Sequence, residues 1–354
     1  MDPPLKGSSR LLAAEAAPTR DWDNVMGNAE RMESGLVTSY AGIGRLRLFF
    51  ALSRTPHGLL DICTPLLAAL LWLGRPPEGG VLFLGVLAAF AGYTAVYALN
   101  DLVDYRVDRE KIRQAGFHRQ TDYLDGAIRH PLARGLLTLP EAVIWTAGWG
   151  TISLVAAWLL NPVCALILIG GCLLEAIYCL LLRVSQLRTL VSGVVKTLGG
   201  LAAVFAVDRS PDPAFLLLLF LWLFFWEIGG QNVPADWHDI EEDAVLRART
   251  IPVLYGPRGA SLIVLFTLIT SMILNGWFLL QAPVDLAIPA LLAVLLAGLY
   301  LLLLPALRLF VSRGREEASS LFNRASYYPL ALLIIVILDL LLSLAGAVYP
   351  PAVH

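Results

Sequence analysis

The chain has 354 residues, of which 57% are hydrophobic and 15% charged, and its net charge is −2. Soluble domains carry about 25% charged residues, so this composition excludes an ordinary soluble enzyme and points to a membrane protein. The near-neutral charge argues against a nucleic-acid partner. The four cysteines all fall in apolar runs and form no CxxC pair, which reads as small core residues.

Residues 1–42 are polar and mixed in charge, without the basic start and apolar core of a secretory signal. They read as a cytosolic, partly disordered tail, and residues 43–350 as one membrane domain. A helix of about 20 apolar residues spans a bilayer. Nine runs qualify: 49–73, 81–100, 142–160, 162–182, 189–207, 213–230, 259–280, 285–305 and 328–348. Asn161-Pro162 makes a tight turn between the third and fourth. Trp72, Trp158 and Trp237 fall near predicted span ends, as an aromatic belt would have them. In this nine-span frame, all but Arg75 and Arg209 of the 26 Lys and Arg residues lie on one side. The positive-inside rule makes that side, with the N-terminus, cytosolic.

Asn100 and Asp101 end the second apolar run, and Asp104 and Asp108 follow. The three aspartates recur at i, i+3 and i+7, which places them on one helical face with Asn100. Like charges stacked this way repel unless a cation sits among them. Asp236, Asp239 and Asp243 repeat the spacing after the sixth run. Each triplet is followed by a basic segment and a Pro-x-x-x-Gly: Pro131 to Gly135, then Pro252 to Gly256. The first copy is longer by a segment around Gln114 to Ala127. It holds His118, Arg119, Asp122, Tyr123 and Asp125, and two readings stand open: a longer solvated surface loop, or a lid over the cavity mouth. Internal repeats in membrane proteins often share a site between the halves.

Clustered carboxylates with an amide oxygen make a hard oxygen site that suits Mg²⁺. Two opposed clusters can hold two ions and clamp a diphosphate between them. Arg183, Arg188, Lys196, Arg247 and Arg249 supply cations for the remaining phosphate oxygens. A diphosphate held at the membrane surface above an apolar cavity suggests an isoprenoid diphosphate. Aromatic faces would stabilise its allylic cation, with Phe50, Tyr93, Tyr97, Tyr178 and Trp226 as candidates.

These motifs resemble those of the UbiA superfamily of intramembrane prenyltransferases. Asn100-Asp101-x-x-Asp104-x-x-x-Asp108 is similar to the family's first motif, and Asp239-x-x-x-Asp243, extended by Asp236, to its second. Ser53-Arg54-Thr55-Pro56-His57 resembles the family's Arg-Pro entry. Pro131-Leu132-Ala133-Arg134-Gly135 and Arg249-Thr250-Ile251-Pro252-Val253-Leu254-Tyr255-Gly256 resemble the segments after the two motifs. The resemblance covers residues 45–348. It implies an all-α bundle of nine transmembrane helices around a central cavity that opens to lipid. It also implies Mg²⁺-dependent prenyl transfer from a polyprenyl diphosphate to a small or lipophilic acceptor, a quinone-precursor-like aromatic being favoured.

The metal ligands implied are Asn100, Asp101, Asp104, Asp108, Asp236, Asp239 and Asp243, with Asp104, Asp108, Asp239 and Asp243 catalytic. Tyr178, Arg183, Arg188, Lys196 and Arg249 would bind diphosphate, and Arg54, His57 and Tyr97 would line the substrate cavity. Such an enzyme is a multi-pass protein of the inner membrane in a bacterium, with its site facing the cytosol. Three departures stand out: Ala235 stands where the first motif has Asn100, Leu182 where many members have Lys four residues after Tyr178, and the loop between spans 2 and 3 carries the extra segment Gln114 to Ala127.

Three other readings compete. Asp122-Tyr123-Leu124-Asp125-Gly126 resembles faintly the CDP-alcohol phosphotransferase pattern, whose remaining residues are missing here. A cation transporter would carry its carboxylates near the midplane rather than at span ends. A branch of the same fold transfers phosphoribose to polyprenyl phosphate.

The charge partition predicts that single cysteines placed in the 2/3 and 6/7 loops react only with reagents that reach the cytosol. A cysteine beside Arg209 should react from outside. Labelling of both aspartate loops from outside would reverse the orientation.

Overall fold

The structure, a computed structural model, describes residues 44–115, 128–344 and 346. The expected tail and all but the first two residues of the Gln114 to Ala127 segment lie outside these. Among the described residues every regular element is helical, and nine helices are long and apolar enough to cross a membrane.

They are span 1 (Thr55–Leu73), span 2 (Gly79–Ala115), span 3 (Leu139–Leu160), span 4 (Pro162–Leu180), span 5 (Arg188–Val207), span 6 (Pro213–His238), span 7 (Ile251–Gln281), span 8 (Ile288–Ser312) and span 9 (Arg315–Leu344). Their starts carry the chemistry that helix starts need. Asn161 caps span 4 through Val163 N, with Pro162 first in the helix. Asp212 caps span 6 in the same way, and Thr138 with Glu141 forms a capping box on span 3.

The structure shifts several expected boundaries. The first run breaks at Ser53 and Arg54: a helix Arg45–Leu52 ends there and span 1 restarts with Pro56 in its first turn. Arg54 turns the corner in the left-handed region at φ 44. Span 2 runs through the whole first motif to Ala115, so it extends well past its apolar part. The last span begins at Arg315, turns at Tyr327 and continues as Tyr328–Leu344. The two Pro-x-x-x-Gly segments share a physical reason. Gly135 (φ 73) and Gly256 (φ 65) both have positive φ, which a side chain disfavours, although each has open space beside it.

Span 5 packs on spans 1, 4 and 6, span 7 on span 6, span 8 on span 7, and span 9 on spans 8 and 1. This sequence of contacts closes a ring. The outward faces carry exposed Phe83, Ile144, Leu159, Phe266, Leu280 and Leu296, a lipid-facing surface that would be unfavourable in water. A large buried apolar cluster lies among spans 1 and 6–9, around Trp222, Trp226 and Phe278. Trp237 belongs to this core and not to an interfacial belt, because the end of span 6 is covered by the first half of span 9. Trp158 is 59% exposed near the end of span 3, as a belt residue would be.

Span 6 is interrupted by a π-helical turn, Glu227–Asn232. Gly229 and Gly230 let that turn press against spans 7 and 9. A methyl group on Gly229 would lie 2.3 Å from Thr267 Oγ1 and 2.9 Å from Leu268 Cγ. Gly229→Ala should therefore cost about 1–3 kcal/mol through overpacking. Gly276→Ala, whose methyl meets nothing within 4 Å, should be neutral or stabilise by up to about 1 kcal/mol. Melting midpoints of the two variants in detergent check this contrast.

Candidate active site at the ends of spans 2 and 6

The ends of spans 2 and 6 open onto one cavity. Helical periodicity explains why both motifs reach it. Asn100, Asp104 and Asp108 face it from span 2, and Asp236, Asp239 and Asp243 from span 6 and the short helix Ile240–Val245. Asp101 is buried just outside the lining.

Each carboxylate of the second motif has a basic partner. Arg188 Nη1 donates to Asp236 Oδ1 at 2.8 Å. Arg129 makes a forked contact with Asp239, at 3.4 and 3.3 Å. Lys111 Nζ lies 3.0 Å from Asp243 Oδ1. Burial works to raise the Asp239 carboxyl pKa, but the charges of Arg129 and Lys111 outweigh it and hold it well below the usual range. For Asp243 burial wins, and its carboxyl is pushed up in spite of Lys111.

On the first motif, His130 sits between two carboxylates, 3.2 Å from Asp101 and 2.9 Å from Asp108. Burial opposes its charge, yet the two aspartates prevail and push it up to about 9. Arg54 reaches Asn100 Oδ1 at 3.4 Å and lies 3.9 Å from Asp101. Arg54 and His130 are two of the four non-glycine residues with positive φ among the described residues. Such strain persists where surrounding contacts over-determine it. Asp104 has no basic side chain within ion-pair distance among the described residues.

Deeper in the bundle is a second polar group. Lys196 of span 5 donates to Asp61 at 2.7 Å, and Tyr97 hydrogen-bonds the same carboxylate. His57 lies 3.7 Å from Asp61 and stacks on Phe322. Glu175 accepts from Asn100 at 2.6 Å, and Glu227 from Ser192 at 2.8 Å. Asp61, Glu175 and Glu227 are absent from the residues expected from sequence. The available signal was a carboxylate inside an apolar run, which is costly and marks function by default. Arg129, His130 and Lys111 were missed for another reason: no periodicity ties a loop residue, or one on the far extension of span 2, to the carboxylate it meets on another element.

The expected diphosphate ligands divide. Tyr178, Arg188 and Lys196 line the cavity, with the Arg188 guanidinium 4.2 Å from the Tyr178 ring centroid. Arg183 and Arg249 do not reach it. Arg183 pairs outside with Glu110, and Arg249 donates to Val184 O. Arg183 precedes the start of span 5 and lies in a turn, so it does not share the face that Arg188 presents. Of the aromatic candidates, Tyr93, Tyr97 and Tyr178 line the cavity. Trp226 is buried in the core, donating to Ala325 O, and Phe50 packs edge-on to Trp145. Ala235 does line the cavity, and Asn232, one turn earlier, brings an amide to the second motif.

Tyr93, Val96 and Val195 form a common wall with an apolar groove of about 1070 Å³ among spans 1–5. A polar cavity with paired aspartate motifs thus lies against an apolar one.

The UbiA prenyltransferase family model matches residues 62–347. The chain belongs to this family. Family members and the curated relatives are prenyltransferases. A 4-hydroxybenzoate octaprenyltransferase of Saccharophagus degradans is 24% identical over 57% of this chain, and the match spans 62% of that relative's length. A digeranylgeranylglyceryl phosphate synthase of Thermococcus kodakarensis is 24% identical over 77% of this chain and 90% of its own. The apo structure of a UbiA homologue from Aeropyrum pernix superposes with a TM-score of 0.64 at 21% identity, covering 81% of this chain and 98% of its own. A UbiA homologue from Archaeoglobus fulgidus, solved with GPP and Mg²⁺, gives 0.57 at 17% identity over 82% and 99%. These structures bear out the nine-helix bundle.

The donor set fits Mg²⁺. Six of the seven expected ligand residues line the cavity with oxygen atoms. Asp236 Oδ2 and Asn232 Oδ1 are buried without a hydrogen-bond partner among the described residues, so oxygen lone pairs are available there.

The two arginines differ in what their loss strands. Arg188→Ala leaves the buried Asp236 carboxylate uncompensated and should cost about 3–5 kcal/mol. Arg183 and Glu110 are 41% and 40% exposed, so Arg183→Ala should cost at most about 1 kcal/mol. Equal melting shifts would contradict this assignment.

Proposed function

We propose that the chain transfers a prenyl group from a polyprenyl diphosphate to a small or lipophilic acceptor within the membrane, with a hydroxylated aromatic of the quinone-precursor kind favoured. The observation that carries this reading is the adjacency of the two cavities. Two aspartate motifs and five Lys or Arg side chains line the polar one, which shares Tyr93, Val96 and Val195 with the apolar groove. A diphosphate fits the first and an isoprenoid chain the second.

Asp104, Asp108, Asp239 and Asp243 would hold Mg²⁺, with Asn100, Asp101 and Asp236 supporting them. When bound, the metal supplies Lewis acidity to the departing diphosphate. Arg188, Lys111 and Arg129 stand where they can turn donors onto phosphate oxygens. Tyr93 and Tyr97 flank the passage to the groove, where their ring faces suit a developing allylic cation. The surrounding apolar wall keeps water from that carbon. The cation-rich side of the bundle is read as cytosolic, so the diphosphate would enter from there.

The test uses the full chain in lipid nanodiscs with Mg²⁺ and labelled geranyl diphosphate. Asp104→Ala should lower turnover by roughly two to three orders of magnitude. Its melting midpoint should not fall, because Asp104 contributes repulsion and no ion pair. Wild-type turnover that survives excess EDTA would end this reading.

A further inference from the structure

The deep end of the cavity has a charge pattern that the prenyl-transfer reading does not use. Glu227 lies nine residues before Asp236, about 13 Å deeper along the span at helical rise. It opens the π-helical turn, and its side chain lines the cavity. One oxygen accepts from Ser192, while Oε2, in a residue only 6% exposed, is buried with no hydrogen-bond partner among the described residues. A buried carboxylate oxygen left this way is expensive unless something that enters the cavity donates to it.

The charges around it narrow what that donor is. Asp61 and Glu175 are the other carboxylates at this depth, and Lys196 is the ammonium facing them. Lys196 is held by Asp61, although its charge also reaches Glu227. Arg54 is directed to Asn100 and Asp101 at the first motif. Among the described residues, three carboxylates therefore share this depth with one ammonium and with His57, which lies 3.7 Å from Asp61. An acceptor bearing its own carboxylate or phosphate would be repelled here. A neutral molecule that offers a hydroxyl matches both the orphan oxygen and the local charge.

We propose that Glu227 is the acceptor-binding base of this enzyme and that it selects an uncharged, hydroxyl-bearing acceptor. The inference rests on the prenyl-transfer reading of the same cavity. The acceptor's electron pair forms the new bond to the allylic carbon. The carbon–oxygen bond to diphosphate breaks, and its electron pair leaves on the diphosphate. The hydroxyl proton passes to Glu227 Oε2. Gln231 positions the π-helical turn, because its amide is fixed to Ser326 Oγ and Phe322 O of span 9.

A matched pair of probes tests this. The full chain in nanodiscs, with Mg²⁺ and labelled geranyl diphosphate, is offered methyl 4-hydroxybenzoate or 4-hydroxybenzoate, which differ in the carboxylate charge. The neutral ester should be prenylated about a hundredfold better. Glu227→Gln, of the same shape, should lower kcat for the ester about a hundredfold. The KM for geranyl diphosphate should stay within about twofold in that variant. Preference for the carboxylate probe overturns the proposal, as does a Glu227→Gln enzyme with wild-type kcat. Diphosphate release without transfer to either probe also overturns it. The probe comparison uses wild-type protein, so it holds even if the variant misfolds. A wild-type chain that releases no diphosphate instead refutes the prenyl-transfer reading.

Discussion

Repulsion among carboxylates is the constraint on which this site depends. Seven carboxylate side chains line one cavity inside a membrane bundle. At low dielectric such a group is tolerated only if cations and donors are built in beside it. The fold draws these from separate places in the chain. Arg54 comes from the break before span 1, Lys111 from the extension of span 2, Arg129 and His130 from the loop after it, and Arg188 and Lys196 from span 5. The unusual backbone follows from the same demand. Arg54 and His130 adopt the left-handed conformation at the points where their side chains meet the first motif.

Much of the fold was legible because it rests on periodicity and length. Nine apolar runs gave nine spans, and helical periodicity brought both motifs to one cavity, the first through Asn100, Asp104 and Asp108 with Asp101 buried beside the lining. The Pro-x-x-x-Gly repeat was legible too, since its glycines answer a local backbone requirement. Boundaries were less so. The first span breaks at Arg54 because Pro56 suits the start of a helix better than its interior. Span 2 continues past its apolar part because polar residues, once outside the bilayer, extend a helix without penalty.

What stayed hidden was contact between elements. Arg183 and Arg188 read alike in sequence, five residues apart in one basic segment. One ends on an exposed Glu110 and the other on a buried Asp236. The difference is set by where span 5 begins, which no residue type announces. Trp237 likewise read as an interfacial tryptophan. It is core because the amphipathic first half of span 9 folds over it. Asp61, Glu175 and Glu227 are a different case: each was visible as a charge within an apolar run, and only the spacing of the aspartate motifs drew attention away from them.

The π-helical turn connects these observations. An α-helix returns to the same face after three or four residues, whereas a π-turn closes its hydrogen bonds at i+5. Span 6 makes that change between Glu227 and Asn232, and the residues at both ends line the cavity together with Gln231. From Asn232 the ordinary helical period resumes, with Asp236 next on that face. This accounts for the alanine at position 235. Asn232 brings an amide to the cavity from the turn before, with Nδ2 held by the Tyr178 hydroxyl at 3.0 Å and Oδ1 left without a partner. One change of helical pitch thus sets both the amide oxygen near the second motif and the carboxylate at the deep end. The same turn depends on Gly229 and Gly230 for its fit against spans 7 and 9. The deep end of the cavity and its aspartate end are therefore joined by the packing of a single turn.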